Sequence, residues 1–151
     1  MKGGQSNLPV VVDTSFVLPL ALAEARSLKV RKRWSQWISS GTAIVAPTLL
    51  AYEIPASLRN KVHRDLLKQD EARMALELLF ALPINLVRPT DLHRQAYDAA
   101  EALSLPTAYD CHFLVLAEQL RAELWTLDER FQSKAVGRYP NTHTIAAAAP
   151  R

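Results

Sequence analysis

The sequence predicts an α/β fold, a mainly parallel sheet of four to five strands with helices on both faces. Three observations point to it. Short apolar runs of strand length alternate with longer stretches at helical spacing, the pattern left by parallel strands joined through helical crossovers. Two of the runs, Val10-Val11-Val12-Asp13 and Leu124-Trp125-Thr126-Leu127-Asp128, deliver an acid to their carboxyl ends. The chain of 151 residues is long enough for one domain with a real core and too short for two. We therefore read 1–151 as one domain, with loose termini at 1–7 and 146–151.

Composition narrows the class. Hydrophobic residues make up 49% and charged residues 22%, which excludes a disordered chain. A lone cysteine forbids an intrachain disulfide and suits a reducing compartment. The first residues lack an apolar signal region, and no window is apolar for long enough to span a bilayer. We expect a cytoplasmic protein without a membrane association.

Each element has a local reason. Val10-Val11-Val12, three β-branched residues after Pro9, reads as a buried strand. Thr14 and Ser15 can then bond the free amides of a following helix, and Phe16 to Ala23 is apolar all round, as in a buried helix. Ser27 is placed to cap the next helix, which carries Val30, Trp34, Trp37 and Ile38 on one stripe and stops at Gly41. The two tryptophans read as core. Ala43-Ile44-Val45-Ala46 is a second strand, and a helix from about Thr48 to Lys61 follows. Pro55 should kink that helix or delay its start, since it removes the bond to Ala51. Asp70 to Leu82 is amphipathic, with Met74, Leu78 and Ala81 on one side. Ile84 to Val87 can be a third strand, and Thr90 can cap a helix to about Leu103. Thr107 and Asp110 fit a capping box at the head of a helix that runs to Leu120. A fourth strand ends at Thr126, and Thr142 to Ile145 can be a fifth.

Function enters through the acids. In open α/β sheets, ligands gather beyond the carboxyl ends of the strands. If the first and fourth strands are parallel neighbours, Asp13 and Asp128 meet there, and like charges so close call for a cation. Asp110 has a competing role as a capping acid. Its stripe nevertheless continues through Phe113, Leu114 and Ala117, so its side chain faces inward, where an unpaired carboxylate is costly. Glu53, with Leu49, Leu50 and Ala56 as helical neighbours, also lies along an apolar side. Hard oxygen donors without cysteine or histidine select Mg²⁺, with Mn²⁺ as a substitute, over zinc. His63, His93, His112 and His143 show no ligand spacing. Cys111 and His112 are adjacent on a helix and point about 100° apart, so they form no dyad.

Basic residues cluster at Arg26, Lys29, Arg31, Lys32 and Arg33, and again at Arg59, Lys61, Arg64 and Lys68. Short clusters of this kind are usually solvated helix faces, but beside a carboxylate-rich centre they suit a polyanion.

Four segments together resemble the PIN-domain family, in particular the VapC-like toxins of bacterial toxin–antitoxin systems: Val11-Val12-Asp13-Thr14-Ser15, Tyr52-Glu53-Ile54, Tyr109 to Glu118, and Leu124 to Phe131. Cys111, where alanine is usual, and Pro55 after the glutamate depart from the pattern. The resemblance implies an acidic quartet of Asp13, Glu53, Asp110 and Asp128, with Ser15 and Thr126 as supporting hydroxyls. It implies a Mg²⁺-dependent endoribonuclease, a homodimer, and a small antitoxin whose tail crosses the active-site groove. Metal-bound carboxylates would neutralise a phosphodiester and activate a water. The rival reading is a catalytically silent PIN-like module that binds RNA or a protein. A nucleophilic-aspartate phosphotransfer domain would want a second aspartate two residues after Asp13, where this chain has Ser15.

Overall fold

The computed structural model describes residues 7–146. The expectation of loose termini therefore falls outside the described residues except at Asn7 and Ala146, and Asn7 is tied down by its amide, which donates to the Ser40 carbonyl (3.1 Å).

Among the described residues five strands form one sheet: β1 (Val10–Val12), β2 (Ile44–Pro47), β3 (Asn85–Val87), β4 (Glu123–Thr126) and β5 (Thr142–Thr144), in the order β3-β2-β1-β4-β5. Every pairing is parallel, and β1 is central, with Val11 opposite Val45 on one side and Leu124 on the other. All three valines of β1 are buried, as β-branched residues of a doubly flanked strand should be. From β1 the chain steps outward through β2 to β3, then returns across the sheet to lay β4 on the other side of β1. The crossovers thus diverge between β1 and β4, and such switch points open a crevice at the carboxyl edge.

Among the described residues seven helices flank the sheet: α1 (Thr14–Val17), α2 (Ser27–Ser40), α3 (Leu49–His63), α4 (Gln69–Phe80), α5 (Leu92–Ala102), α6 (Tyr109–Leu120) and α7 (Glu129–Ala135). Gly41 ends α2 at φ 70°, a left-handed conformation that glycine adopts without strain. Phe16, Trp37 and Trp125 meet at the core, with ring centroids 5.3 to 6.2 Å apart. Trp34 joins them at 6.5 Å from Trp37, so both tryptophans of α2 are core residues.

Several local expectations are corrected. The apolar run after Asp13 is not one helix: α1 gives way to a 3₁₀ turn, Leu18–Leu20, because Pro19 has no amide to continue the α-helical ladder. Ser27 does not cap α2. Its hydroxyl donates to the Leu22 carbonyl (2.8 Å) and accepts from the Glu24 amide (2.9 Å), fastening the preceding turn instead. Ile38 leaves the buried stripe and is 48% exposed. The start of α3 is not delayed by Pro55: the helix begins at Leu49 and continues through the proline. α4 is rotated from the expected face: Ala72, Ala75 and Leu79 are buried, while Met74 and Leu78 lie in solvent. Small side chains permit close helix packing, so a stripe that includes two alanines can take the buried face ahead of one with larger apolar groups. Asp91, in the left-handed region at φ 59°, precedes α5 in place of a Thr90 cap.

Candidate active site

Asp13 closes β1 and caps α1: its Oδ1 accepts from the Phe16 amide (3.1 Å) and from the Ser15 hydroxyl (2.6 Å). It is only 5% exposed. Burial pushes its pKa up from 3.8 to about 6, against the pull of Ser15, Thr126 and the Phe16 amide, and the charge of Asp110 adds to the rise.

Ser15 and Thr126 sit together beside it, their hydroxyl oxygens 3.2 Å apart. Ser15 Oγ also accepts from the Leu127 amide (2.8 Å), and Thr126 Oγ1 from the Asp128 amide (3.1 Å). The two hydroxyls therefore join the carboxyl ends of β1 and β4, and so tie Asp13 to the turn that carries Asp128. Asp128 itself is exposed and caps α7 by accepting from the Phe131 amide (3.0 Å).

Asp110 lies in the first turn of α6, half-buried. The expected capping box does not form. Ala108 occupies the N-cap position and no side chain caps the helix, so neither Thr107 nor Asp110 is consumed there. Burial raises the Asp110 pKa, and the charge of Asp128 raises it further. Glu53, on α3, is half-buried and accepts from the Thr14 hydroxyl (3.0 Å). Its pKa is also raised, chiefly by burial, with Thr14 pulling it down and Asp110 pushing it up. Asp110 is thus within electrostatic reach of Asp13, Glu53 and Asp128, which brings all four acids to one edge of the sheet.

An oxygen-only donor set of this kind suits a hard divalent ion such as Mg²⁺ or Mn²⁺. The carboxylates are neighbours without being a finished ligand shell: among the described residues, no three His, Cys, Asp or Glu side chains are close enough to hold an ion together. A cation here would bridge them partly through water, the habit of Mg²⁺. Buried carboxylates at such an edge fit that role, because a divalent ion would offset both the loss of hydration that chiefly lifts three of the four pKa values and the repulsion that adds to it.

Two features escaped sequence reasoning. Thr14 was legible only as a helix-starting residue, yet it holds Glu53 from 39 positions away. His93 Nδ1 meets His112 Nε2 at 2.9 Å, and His112 Nδ1 lies 2.7 Å from the Ala108 carbonyl; no ligand spacing announces such a pair. The basic clusters are partly spent on the protein itself. Lys61 pairs with Glu24 (3.4 Å), Arg59 donates to Gln69 (2.7 Å), and the Arg33 guanidinium lies 4.6 Å above the Trp125 ring. Lys29, Arg31 and Lys32 remain exposed. Cys111 is fully buried, and burial lifts its thiol to about 11, which leaves it inert as a nucleophile. No helix of the described residues is long and apolar enough to cross a membrane.

Comparison with known proteins bears on the fold and the family. The chain is similar to Ribonuclease VapC3 of Pyrobaculum aerophilum, at 29% identity over 132 residues that cover 84% of this chain and 95% of the relative. Its fold is similar to the crystal structure of PAE2754, also from Pyrobaculum aerophilum, with a TM-score of 0.64, 20% identity, and coverage of 95% of this chain and 93% of that one. The PIN domain profile matches residues 10–137, from the first residue of β1 to just beyond α7, so the span that carries all four acids is the span that defines the match, and the chain belongs to the PIN domain family.

Proposed function

We propose that this chain is a Mg²⁺-dependent endoribonuclease acting as the toxin of a toxin–antitoxin pair. The observation that carries the reading is the buried Asp13 carboxyl, with a pKa near 6, at a switch point shared with Asp110 and Asp128. RNA as substrate is supported by the name of the similar VapC3 ribonuclease. The cytoplasm, where RNA is met, suits the lone reduced cysteine.

In this reading Asp13, Asp110 and Asp128 hold the metal, directly or through water. When bound, Mg²⁺ would neutralise the scissile phosphate and ease the deprotonation of a water molecule. Glu53, half-buried with a raised pKa, orients that water or takes its proton, and Thr14 fixes the carboxylate that does so. Ser15 and Thr126 keep Asp13 and the Asp128 turn in register. The reading includes a homodimer, for which exposed Met74 and Leu78 on α4 offer an apolar face, and a small antitoxin protein that holds the enzyme inactive.

The test is incubation of purified protein with structured and unstructured RNAs, with Mg²⁺ and with EDTA, alongside Asp13→Asn and Asp110→Asn. We expect internal cleavage that needs the metal and disappears in both variants. Full cleavage by Asp110→Asn, or cleavage that persists in EDTA, refutes the assignment.

A further inference from the structure

We propose that Arg26 is a positioning residue for Asp128, a role that rests on the nuclease reading of the site. In sequence Arg26 heads the first basic cluster. In the fold it is half-buried, and its Nη1 donates to the carbonyls of Leu127 (3.0 Å) and Ile145 (3.2 Å). Those carbonyls lie one residue past the last paired positions of β4 and β5, Thr126 and Thr144. The Leu127 carbonyl belongs to the peptide unit that leads into Asp128.

That turn is held from three sides. The Leu127 amide donates to Ser15 Oγ and the Asp128 amide to Thr126 Oγ1, so both hydroxyls act on N–H groups. Arg26 acts on the carbonyl between them. A guanidinium suits this because it is planar, charged at any working pH, and able to bridge two acceptors, and hydrogen bonds from an ionised donor are stronger than neutral ones. Asp128 needs such support. Its side chain is exposed, and among the described residues its carboxylate accepts only from the Phe131 amide of its own helix. The aim of the carboxylate towards Asp110 is therefore set by the backbone that precedes it. Arg26, 101 residues away in sequence, sets that backbone.

The role is tested by amide hydrogen exchange and cleavage kinetics on the full chain with Arg26→Ala, Arg26→Lys and, as a control, Gln132→Ala. The control removes a comparable contact, Gln132 Nε2 to the Thr142 carbonyl (3.1 Å), at the other end of β5. In Arg26→Ala the Asp128 and Phe131 amides should exchange about tenfold faster relative to the core amides of β1, the local opening expected when one charge-assisted hydrogen bond is lost. Arg26→Lys, which keeps one charged donor, should fall between wild type and Arg26→Ala, and it carries the test if the alanine variant does not fold. Gln132→Ala should leave both amides protected. Where the wild-type chain cleaves RNA, Arg26→Ala should lower kcat with KM retained. Unchanged protection at Asp128 and Phe131, or a loss no greater than that of the core amides, overturns the proposal. A wild-type chain that cleaves no RNA would instead remove the nuclease reading, and the exchange result would still decide whether Arg26 holds Asp128.

Discussion

Replacing Asp13 with asparagine should abolish cleavage and at the same time stabilise the fold, by an amount that depends on pH. The carboxyl has a pKa of 3.8 in ordinary surroundings and about 6 in the folded chain. A raised acid pKa means that the fold binds the proton more tightly than the unfolded chain does. The contribution of Asp13 to stability is thus fully present below pH 4 and is lost as the pH rises through 6. At about 1.4 kcal/mol for each pH unit between the two values, the loss reaches about 3 kcal/mol by pH 8. Asparagine has the same shape and no charge to bury. The bonds from the Ser15 hydroxyl and the Phe16 amide both end on Oδ1, so the amide oxygen can keep these two of the three contacts that lower the Asp13 pKa. We therefore expect Asp13→Asn to be about 2–3 kcal/mol more stable than wild type at pH 8, equal to it or slightly weaker at pH 4, and about 5–10 °C higher in Tm at the upper pH. Urea unfolding in EDTA at pH 4, 6 and 8 measures the difference. Mg²⁺ should then narrow it at pH 8 by binding the wild-type carboxylates. A difference independent of pH, or a variant weaker than wild type at pH 8, would refute the claim that buried charge at Asp13 strains the fold.

Ser15→Ala removes the donor to Asp13 Oδ1 and the acceptor of the Leu127 amide together, so it should cost about 2–3 kcal/mol in urea unfolding at pH 7 and raise the Asp13 pKa further. A loss within experimental error would show that water replaces the hydroxyl. Thr14→Val takes away the hydrogen bond that lowers the Glu53 pKa, so the acidic limb of the rate–pH profile should move to higher pH, with stability changed by no more than about 1 kcal/mol. An unmoved limb would mean that Glu53 is not the titrating group. Pro55→Ala restores a donor to the Ala51 carbonyl inside α3 and should stabilise the chain by about 1–2 kcal/mol in thermal or urea unfolding, with RNA cleavage unchanged.

The sheet was legible because strands buried on both faces must be apolar and short, and the intervening helices announce the crossovers. Val10–Val12 and Ile44–Pro47 have that character along their whole length. Helix termini were less legible, because a side chain that can cap has other uses. Ser27 illustrates this: with the Leu22 carbonyl and the Glu24 amide in reach, its hydroxyl closes the preceding turn. The rotation of α4 was invisible for a different reason. Periodicity places Met74 and Leu78 on a stripe, but which stripe is buried depends on how closely the helix can pack, and alanines permit close packing.

At the site, the sequence could place residues at an edge but could not show how strongly they interact. The end of a strand is a position along the chain, so the two apolar runs put Asp13 and Asp128 at strand tips, and the parallel pairing of β1 with β4 puts those tips on one edge. Their interaction is a property of distance and burial, and it is Asp110, brought in by α6, whose charge acts on Asp13 and is acted on by Asp128. Asp110 makes the point most sharply. As a capping residue its charge would be satisfied by helix amides, and nothing further would follow. With Ala108 at the cap and apolar neighbours on its stripe, the same carboxylate is buried without a cap to satisfy, and its pKa rises chiefly through that burial and further through the charge of Asp128. Arg26 is the reverse case: a charge that composition assigns to a solvated cluster is taken inward by two carbonyls. Charged residues read from sequence therefore carry a sign and an address, and it is the return of a distant strand that decides whether the charge is solvated, satisfied by backbone, or left to wait for a counter-ion.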